Sequence, residues 1–176
     1  MKSSVLRFQA FLLMTLLLTG AICQAQSAPN NLRNILQPMV QNRLEGPRYF
    51  AASLVKQGYK ESDVLAACNV LDVDWNARAT QAADYAATKM DGGCSQLSIA
   101  KLLANIGYTN DQILYALSNC SIDWHYQAWR DARTFAEKQG GNASDEQIKA
   151  FLQKFGYSKD QIEYACRNRL DDNPLE

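Results

Sequence analysis

The chain has 176 residues, 47% of them hydrophobic, and its 18 basic residues balance 18 acidic ones. A chain without a concentrated basic surface lacks the electrostatic footprint of a nucleic-acid-binding protein, so no nucleic-acid partner is expected. About 150 residues remain after the N-terminal segment described next, which is enough for one sizeable core.

The first 25 residues are predicted to be a secretory signal peptide. A basic start, "MKSSVLR", precedes the apolar run "FLLMTLLLTGAI", which is too short to span a bilayer, and small and polar residues follow. Cleavage after Ala25 leaves 16 basic and 18 acidic residues, a net charge of −2. The alternative is lipidation at Cys23, although the bulky Ile22 stands where a small residue is favoured. We expect an exported protein, periplasmic, secreted or on the cell surface, with membrane attachment only if Cys23 is lipidated.

A repeat of 49 residues runs through the rest of the chain without a gap. Its most visible members are pairs of neighbouring residues, at Gly58-Tyr59, Gly107-Tyr108, Gly156-Tyr157, Asp74-Trp75 and Asp123-Trp124. An ungapped match over two periods is typical of internal repetition. The three copies are predicted to cover 26–73, which is divergent, 74–122, and 123–171 followed by a tail to residue 176.

The first helix of each copy is predicted to open at the Asp-Trp pair. Asp74 and Asp123 are N-cap candidates, and alanines recur every four residues behind them. Small residues at that spacing let another helix come close. In the first copy "NNLRNILQPMVQNRL" takes this role, and Pro38 is expected to kink or split the helix.

The other two helices of each copy are predicted on either side of the Gly-Tyr pair. A glycine is a common helix C-terminal signal, so the second helix should end there. Capping boxes, in which Ser or Thr stands three residues before Gln, open helices at Thr109–Gln112, Ser144–Gln147 and Ser158–Gln161. The predicted fold is therefore all-α, with roughly nine helices and no sheet, arranged as tandem three-helix repeats.

The stretch "NCSIDWHYQAW" carries the residue types of a cysteine nucleophile with its base, or of part of a zinc site: Cys120, Asp123 and His125. The repeat argues against both interpretations. Asp74 recurs at the position of Asp123, whereas Asn76 stands where His125 does, so the aspartate is explained by capping. A zinc site also needs four ligands at short spacings. We therefore predict no catalytic residue, no metal and no cofactor, and a protein that is not an enzyme.

Four cysteines remain after cleavage, and in an exported protein an even count permits two disulfides. Cys94 precedes and Cys120 follows the second helix pair, so a Cys94–Cys120 disulfide is predicted to join its open end. Closing that loop would contribute roughly 3 kcal/mol through the unfolded state. Cys68 and Cys166 are repeat equivalents of Leu117. Buried thiols that act as small hydrophobes and a second disulfide both stay open for this pair.

The repeat resembles the Ltp-type repeat of host cell surface-exposed bacterial and prophage lipoproteins, a family with a helix-turn-helix-like fold. The match runs from about Ser53 to Asp172. The residues that carry it are Gly58, Tyr59, Gly107, Tyr108, Gly156, Tyr157, Ala116, Ala165, Asn119, Asp74, Trp75, Asp123, Trp124 and Ala128. The resemblance implies a surface protein that binds the injection machinery of an incoming phage, notably its tape-measure protein, and blocks DNA entry. Such superinfection exclusion would make a phage tail component the protein partner.

Residues that one copy adds to the template are the predicted partner-binding candidates. Trp75 and Trp124 recur and are expected to anchor the core, whereas Trp129 has Thr80 as its equivalent. The candidates are His125, Tyr126, Trp129, Asp131, Glu137, Asp145 and Glu146, with Asp111 as a further acidic neighbour. For the acidic residues, an ordinary solvated face is the alternative interpretation.

Two other functions also stay open. The repeats could contact a host or cell-wall component, as in a structural or adhesive envelope protein. A Gly-aromatic turn between two short helices is also similar to ubiquitin-associated-type modules, which would suit a secreted effector. Under each alternative the protein works by binding another protein or surface component.

Overall fold

The structure of the protein, a computed structural model, describes residues 31–169. The predicted signal peptide at 1–25, the lipidation alternative at Cys23 and the end of the third copy lie outside these residues. Within 31–169 the chain is all-α, with nine helices and no strand, as the sequence predicts.

The helices follow one another through short connections. They are α1 (31–41), α2 (Pro47–Val55), α3 (Glu61–Asn69), α4 (Trp75–Lys89), α5 (Gln96–Asn105), α6 (Asn110–Asn119), α7 (Trp124–Lys138), α8 (Asp145–Phe155) and α9 (Lys159–Asn168). Helices three apart in this order start 49 residues apart wherever both starts are described. We refer to α1–α3, α4–α6 and α7–α9 as the first, second and third groups.

The predicted N-terminal signals are confirmed. The Asp74 carboxylate accepts the backbone N–H groups of Asn76 and Ala77, both at 3.0 Å, and Asp123 does the same for His125 and Tyr126. Complete capping boxes open three of the other helices, at Thr109, Ser144 and Ser158. These side chains satisfy N–H groups that have no partner inside the helix.

The three Gly-Tyr pairs form one kind of turn. Gly58, Gly107 and Gly156 have φ values of +94°, +92° and +81°. In each turn the tyrosine N–H donates to the carbonyl of the residue five earlier, at 3.0–3.2 Å, and the glycine N–H donates to the residue three earlier. This is the Schellman pattern, which favours glycine because side chains clash at positive φ.

Within each of the later groups the long first helix packs along the other two. α4 lies against α5 and α6, and α7 lies against α8 and α9. Fully buried alanines stand on the contacting faces, including Ala79, Ala83, Ala128 and Ala132. The first two groups share one hydrophobic core, and the third group has its own. Small side chains thus allow the close helix approach that the alanine spacing predicts.

The first helix of the chain continues through its proline. α1 is unbroken from 31 to 41, so the expected split of the helix at Pro38 is not found. Pro38 is exposed, and its carbonyl accepts a hydrogen bond from the Asn42 side-chain amide at 3.2 Å. The Arg78 guanidinium fastens the end of α1 to α4, donating to the carbonyls of Val40 and Arg43.

The repeated tryptophans lie against the core shared by the first two groups. Trp75 is 9% exposed, and its indole N–H donates to the carbonyl of Cys68 at 3.3 Å. Trp124 is half-buried and packs against the same core from the start of α7. The predicted role of Trp75 as a core anchor is confirmed.

We call the contact between the first and second groups junction 1. The backbone N–H of Gly46 donates to Ile106 O at 2.7 Å, and that of Arg48 donates to Gly107 O at 3.1 Å. The Tyr108 hydroxyl adds a bond to Leu44 O at 2.8 Å. The Gly-Tyr turn of the second group therefore sits on the start of α2.

Junction 2 joins the second and third groups at positions 49 residues further along. The Ser95 hydroxyl, at the position equivalent to Gly46, donates to Phe155 O at 2.5 Å. A Cβ added to Gly156 would lie 2.4 Å from Leu97 Cδ2, so backbone and side chain are in close contact here. The Gly-Tyr turn of the third group therefore sits on the start of α5.

Candidate binding surface

His125 lies on the surface, at the start of α7, and its imidazole faces α9. Its Nε2 is 3.3 Å from Asp160 Oδ2, and its ring meets Tyr164 edge-on at a centroid distance of 5.2 Å. The Ser158 hydroxyl holds the pKa of Asp160 below its usual value. The backbone N–H of Asp160 and the imidazole of His125 add smaller contributions in the same direction. Asp123 instead bonds backbone N–H groups at the helix start. The imidazole is therefore a surface group with an acidic and an aromatic neighbour on α9.

Trp129 does not face a partner, and the prediction that it does is wrong. The side chain is 6% exposed, and its indole N–H donates to Asn168 O at 3.0 Å. The half-buried Tyr126 packs on it at a centroid distance of 5.3 Å, and the Arg133 guanidinium lies 5.6 Å from its ring. The third group has a separate, smaller core, so a large aromatic here supplies apolar area that Thr80 need not supply in the second group.

The prediction that Asp131 faces a partner is also wrong, because its side chain is buried and only 1% exposed. Its Oδ2 accepts hydrogen bonds from the Cys94 backbone N–H at 2.9 Å and from the Tyr157 hydroxyl at 2.5 Å. Its Oδ1 has no hydrogen bond within the described residues and lies 3.8 Å from Arg130 Nη2. Arg130 in turn donates to Met90 O at 3.3 Å. Asp131 is therefore the polar centre of junction 2 and does not belong to an exposed acidic face.

Of the remaining acidic candidates, Asp111 is exposed in α6, and the other three lie on the surface of the third group, where two of them are paired. Glu137 lies 3.3 Å from Arg133 Nε, and Asp145 lies 2.8 Å from Arg169 Nη1. Glu146 is exposed, and its own backbone N–H and the Ser144 hydroxyl lower its pKa. Because arginines neutralise part of this charge, the arrangement favours the solvated-face interpretation over a concentrated negative field.

The predicted Cys94–Cys120 disulfide is not formed. Both thiols are free, and Cys94 is fully buried. The Cys120 Sγ donates to Leu117 O at 3.6 Å, one turn back in its own helix end. Burial raises the pKa of the Cys94 thiol to about 11. The Cys120 thiol lies near enough to add a smaller contribution to the raised pKa of Cys94, yet the two sulfurs are not bonded to each other.

The other two described cysteines are free as well. Cys68 is fully buried in the shared core, where burial raises its pKa to about 11. Cys166 is half-buried beside the core of the third group. Of the two alternatives for this pair, the structure has unpaired thiols packed as small hydrophobes, and Cys68 is the clearer case.

An open groove of about 560 Å³ lies between the first and second groups. Apolar side chains line much of it, namely Leu44, Ala82, Ala86, Met90, Leu102 and Ile106. Tyr85 stands at its edge and is 56% exposed, with Lys89 Nζ 5.6 Å from the ring centroid. Arg43 and Glu45, 3.9 Å apart, add charge to the rim. An exposed aromatic beside an apolar floor with a charged rim is typical of protein-binding surfaces.

The sequence prediction missed this groove, although one signal for it was present. Tyr85 is not repeated: the equivalent position in the third copy, 49 residues later, holds Thr134. The criterion that selected Trp129 therefore applies to Tyr85 equally well. The groove itself leaves no local pattern, since its lining comes from three separate segments at 42–45, 82–90 and 102–106.

Among residues 31–169, no three or more His, Cys, Asp or Glu side chains are grouped so that they could hold a metal ion. Every helix in that part of the chain falls short of the length and apolarity needed to cross a bilayer. Comparison of the chain with protein-family models, with curated proteins and with solved structures found no match in any of the three.

Proposed function

We propose that this is an exported, non-enzymatic protein built from three 49-residue helical repeats that binds another protein. The groove beside Tyr85 is the observation that carries the proposal. Its floor is aliphatic, its volume of about 560 Å³ accommodates several side chains, and Tyr85 is poised to contact a partner. Rigid aromatics next to apolar pockets are where binding energy concentrates in protein interfaces.

The groove suits a segment of a partner protein. It is open along the surface between two helix groups, so a helix or extended chain could lie across it. Arg43, Glu45 and Lys89 offer both signs of charge at the rim. Such a rim would orient the partner, while apolar side chains entering the groove would supply most of the affinity.

The first partner we propose is a component of a phage injection apparatus, such as a tape-measure protein. The resemblance of the Gly-Tyr and Asp-Trp pattern to Ltp-type repeats supports this choice. The mechanism would be blockade by binding at the cell envelope, with no bond made or broken. The exposed His125 and Asp160, with the half-buried Tyr164 beside them, form a second surface that the same partner could contact.

Expression in a phage-sensitive host tests the proposal, with adsorption and DNA entry measured separately. We expect normal adsorption and blocked entry for the wild type, and restored entry for Tyr85→Ala. Tyr115→Ala is the matched control, because Tyr115 is 45% exposed on α6 and does not line the groove. Unimpaired entry for a broad phage panel would exclude the phage role and favour an adhesive envelope protein. Equal behaviour of the two tyrosine variants would remove the groove from the mechanism.

A further inference from the structure

We propose that copies of this protein associate head to tail. In this arrangement the Gly58-Tyr59 turn of one copy docks on the start of α8 in the next copy. The contact would repeat, between molecules, the feature that the two junctions share, namely a Gly-Tyr turn lying against the start of a helix. The partner is thus a second copy of the same chain, whatever else the protein binds.

Both junctions need a glycine at the docked turn for close approach. A Cβ added to Gly107 would lie 2.2 Å from the backbone nitrogen of Tyr49, and one added to Gly156 would lie 2.4 Å from Leu97 Cδ2. Atoms cannot approach so closely, so a side chain at Gly107 would push two backbone segments apart, and one at Gly156 would displace the Leu97 side chain. The Gly-Tyr turn therefore forms a close docking contact at both junctions.

Among residues 31–169 the equivalent turn of the first group has no such neighbour. Gly58 is exposed, and a Cβ added to it would meet no atom of those residues within 4 Å. Its backbone nevertheless has the same positive φ, and the Tyr59 N–H makes the same bond to Leu54 O, at 3.2 Å. The docking shape is thus present on an open surface.

The complementary surface is open at the other end of the chain. Ser144 stands at the position of Ser95 and Gly46, and Glu146 at that of Leu97; Ser144 and Glu146 are both exposed. At junction 2 the Ser95 hydroxyl donates to Phe155 O. The Ser144 hydroxyl would reach the equivalent carbonyl, that of Gln57, in the docked copy.

Charge at the two open ends is complementary. Lys56 and Lys60 flank the Gly58 turn and are exposed, and the exposed Glu146 lies in the first turn of α8. Asp145 beside it is already paired with Arg169. An ion pair between Glu146 and a lysine would therefore take the place of the apolar contact that Leu97 makes at junction 2.

Because the two docking faces differ, the contact is heterologous. Such contacts extend as open arrays unless the rotation between copies happens to close a ring. Each open array would then have a free Gly58-Tyr59 turn at one end and a free α8 start at the other. Blocking either face should stop growth, and blocking different faces on two copies should leave one competent pair.

Sedimentation velocity of the purified protein over a concentration series tests this. The wild type should show a mass that rises with concentration above the monomer, which is 19.7 kDa for the whole chain. Gly58→Ala and Glu146→Lys should each be monomeric, because each removes one face. An equimolar mixture of the two variants should form dimers and nothing larger.

Two further variants control for folding and charge. Tyr115→Ala, which lies on neither face, should assemble like the wild type, and thermal unfolding should show all variants folded. A triple variant that adds Lys56→Glu and Lys60→Glu to Glu146→Lys should assemble again, because the charges of the two faces are then exchanged. A wild type that stays monomeric up to its solubility limit would overturn the proposal, as would assembly that is indifferent to both face variants.

Discussion

The Asp131 carboxylate accepts the backbone N–H of Cys94 at 2.9 Å and so links α7 to the segment ahead of α5. The same oxygen accepts the Tyr157 hydroxyl. At junction 1 the equivalent tyrosine, Tyr108, reaches the backbone directly, and Ala82 occupies the position of Asp131. The two junctions thus fix a buried tyrosine hydroxyl in different ways, one through a carboxylate and one through a carbonyl.

Replacing Asp131 with alanine should destabilise the protein by about 2–4 kcal/mol, because a buried N–H and a buried hydroxyl would both lose their acceptor. Urea unfolding of the variant measures this. Asp160→Ala is the control, since that carboxylate is exposed and its ion pair with His125 is screened by solvent, so its loss should change stability far less. If the two variants lost the same free energy of unfolding, the hydrogen bonds of Asp131 would not stabilise junction 2 more than a surface ion pair does.

Two glycine variants separate backbone strain from close packing. Gly58→Ala should cost about 1–2 kcal/mol, because φ is +94° but no atom of the described residues lies within 4 Å of the new Cβ. Gly107→Ala has nearly the same φ and adds a clash with Tyr49, so we expect an extra loss of about 1–3 kcal/mol. Chemical denaturation of the monomeric proteins gives the difference. If the two variants unfold alike, junction 1 is looser than the structure indicates.

Because Trp129 is buried, its replacement should lower the stability of the fold, whereas replacing an exposed partner-facing residue would leave stability nearly unchanged. Trp129→Ala should lower the free energy of unfolding by about 3–5 kcal/mol, through lost apolar burial and the lost bond to Asn168. His125→Ala should change it by no more than about 0.5 kcal/mol, because the imidazole is exposed. Thermal or urea melts distinguish the two outcomes, and a stable Trp129→Ala protein would contradict the packing.

Stability should fall in alkaline solution. Burial raises the pKa of Cys68 and of Cys94 from 9.0 to about 11, so the folded chain holds these protons more tightly than the unfolded chain. The resulting stabilisation is complete below pH 9 and is lost as the pH rises through about 11, on the order of 2 kcal/mol for each thiol. Buried Tyr108 and Tyr157, whose pKa values are also raised by burial, add to the loss.

Urea midpoints measured under reducing conditions between pH 8 and pH 11 would follow this loss. Cys68→Ala is the matched variant, and its stability should depend less steeply on pH even though its absolute stability is lower. The change in slope isolates the thiol from the cavity that the substitution creates. A slope identical to that of the wild type would mean that Cys68 does not carry the alkaline effect.

Local signals in the sequence account for the helices and their ends. Asp74, Asp123 and the capping boxes act on N–H groups two or three residues away, and the Gly-Tyr turns need only a glycine that tolerates positive φ. Such interactions span a few residues, so their pattern predicts them without knowledge of the packing. The 49-residue spacing of the helix starts was visible for the same reason.

The sequence by itself therefore determined the all-α class, the helix ends and the confirmed helix caps. Only the tertiary structure decided that Asp131 and Trp129 are buried, that Cys94 and Cys120 stay free, and that Tyr85 borders a groove. Each of these depends on segments distant in the chain that meet across a junction or core. Burial and side-chain direction are set by that meeting, whereas residue type and spacing describe a single segment at a time.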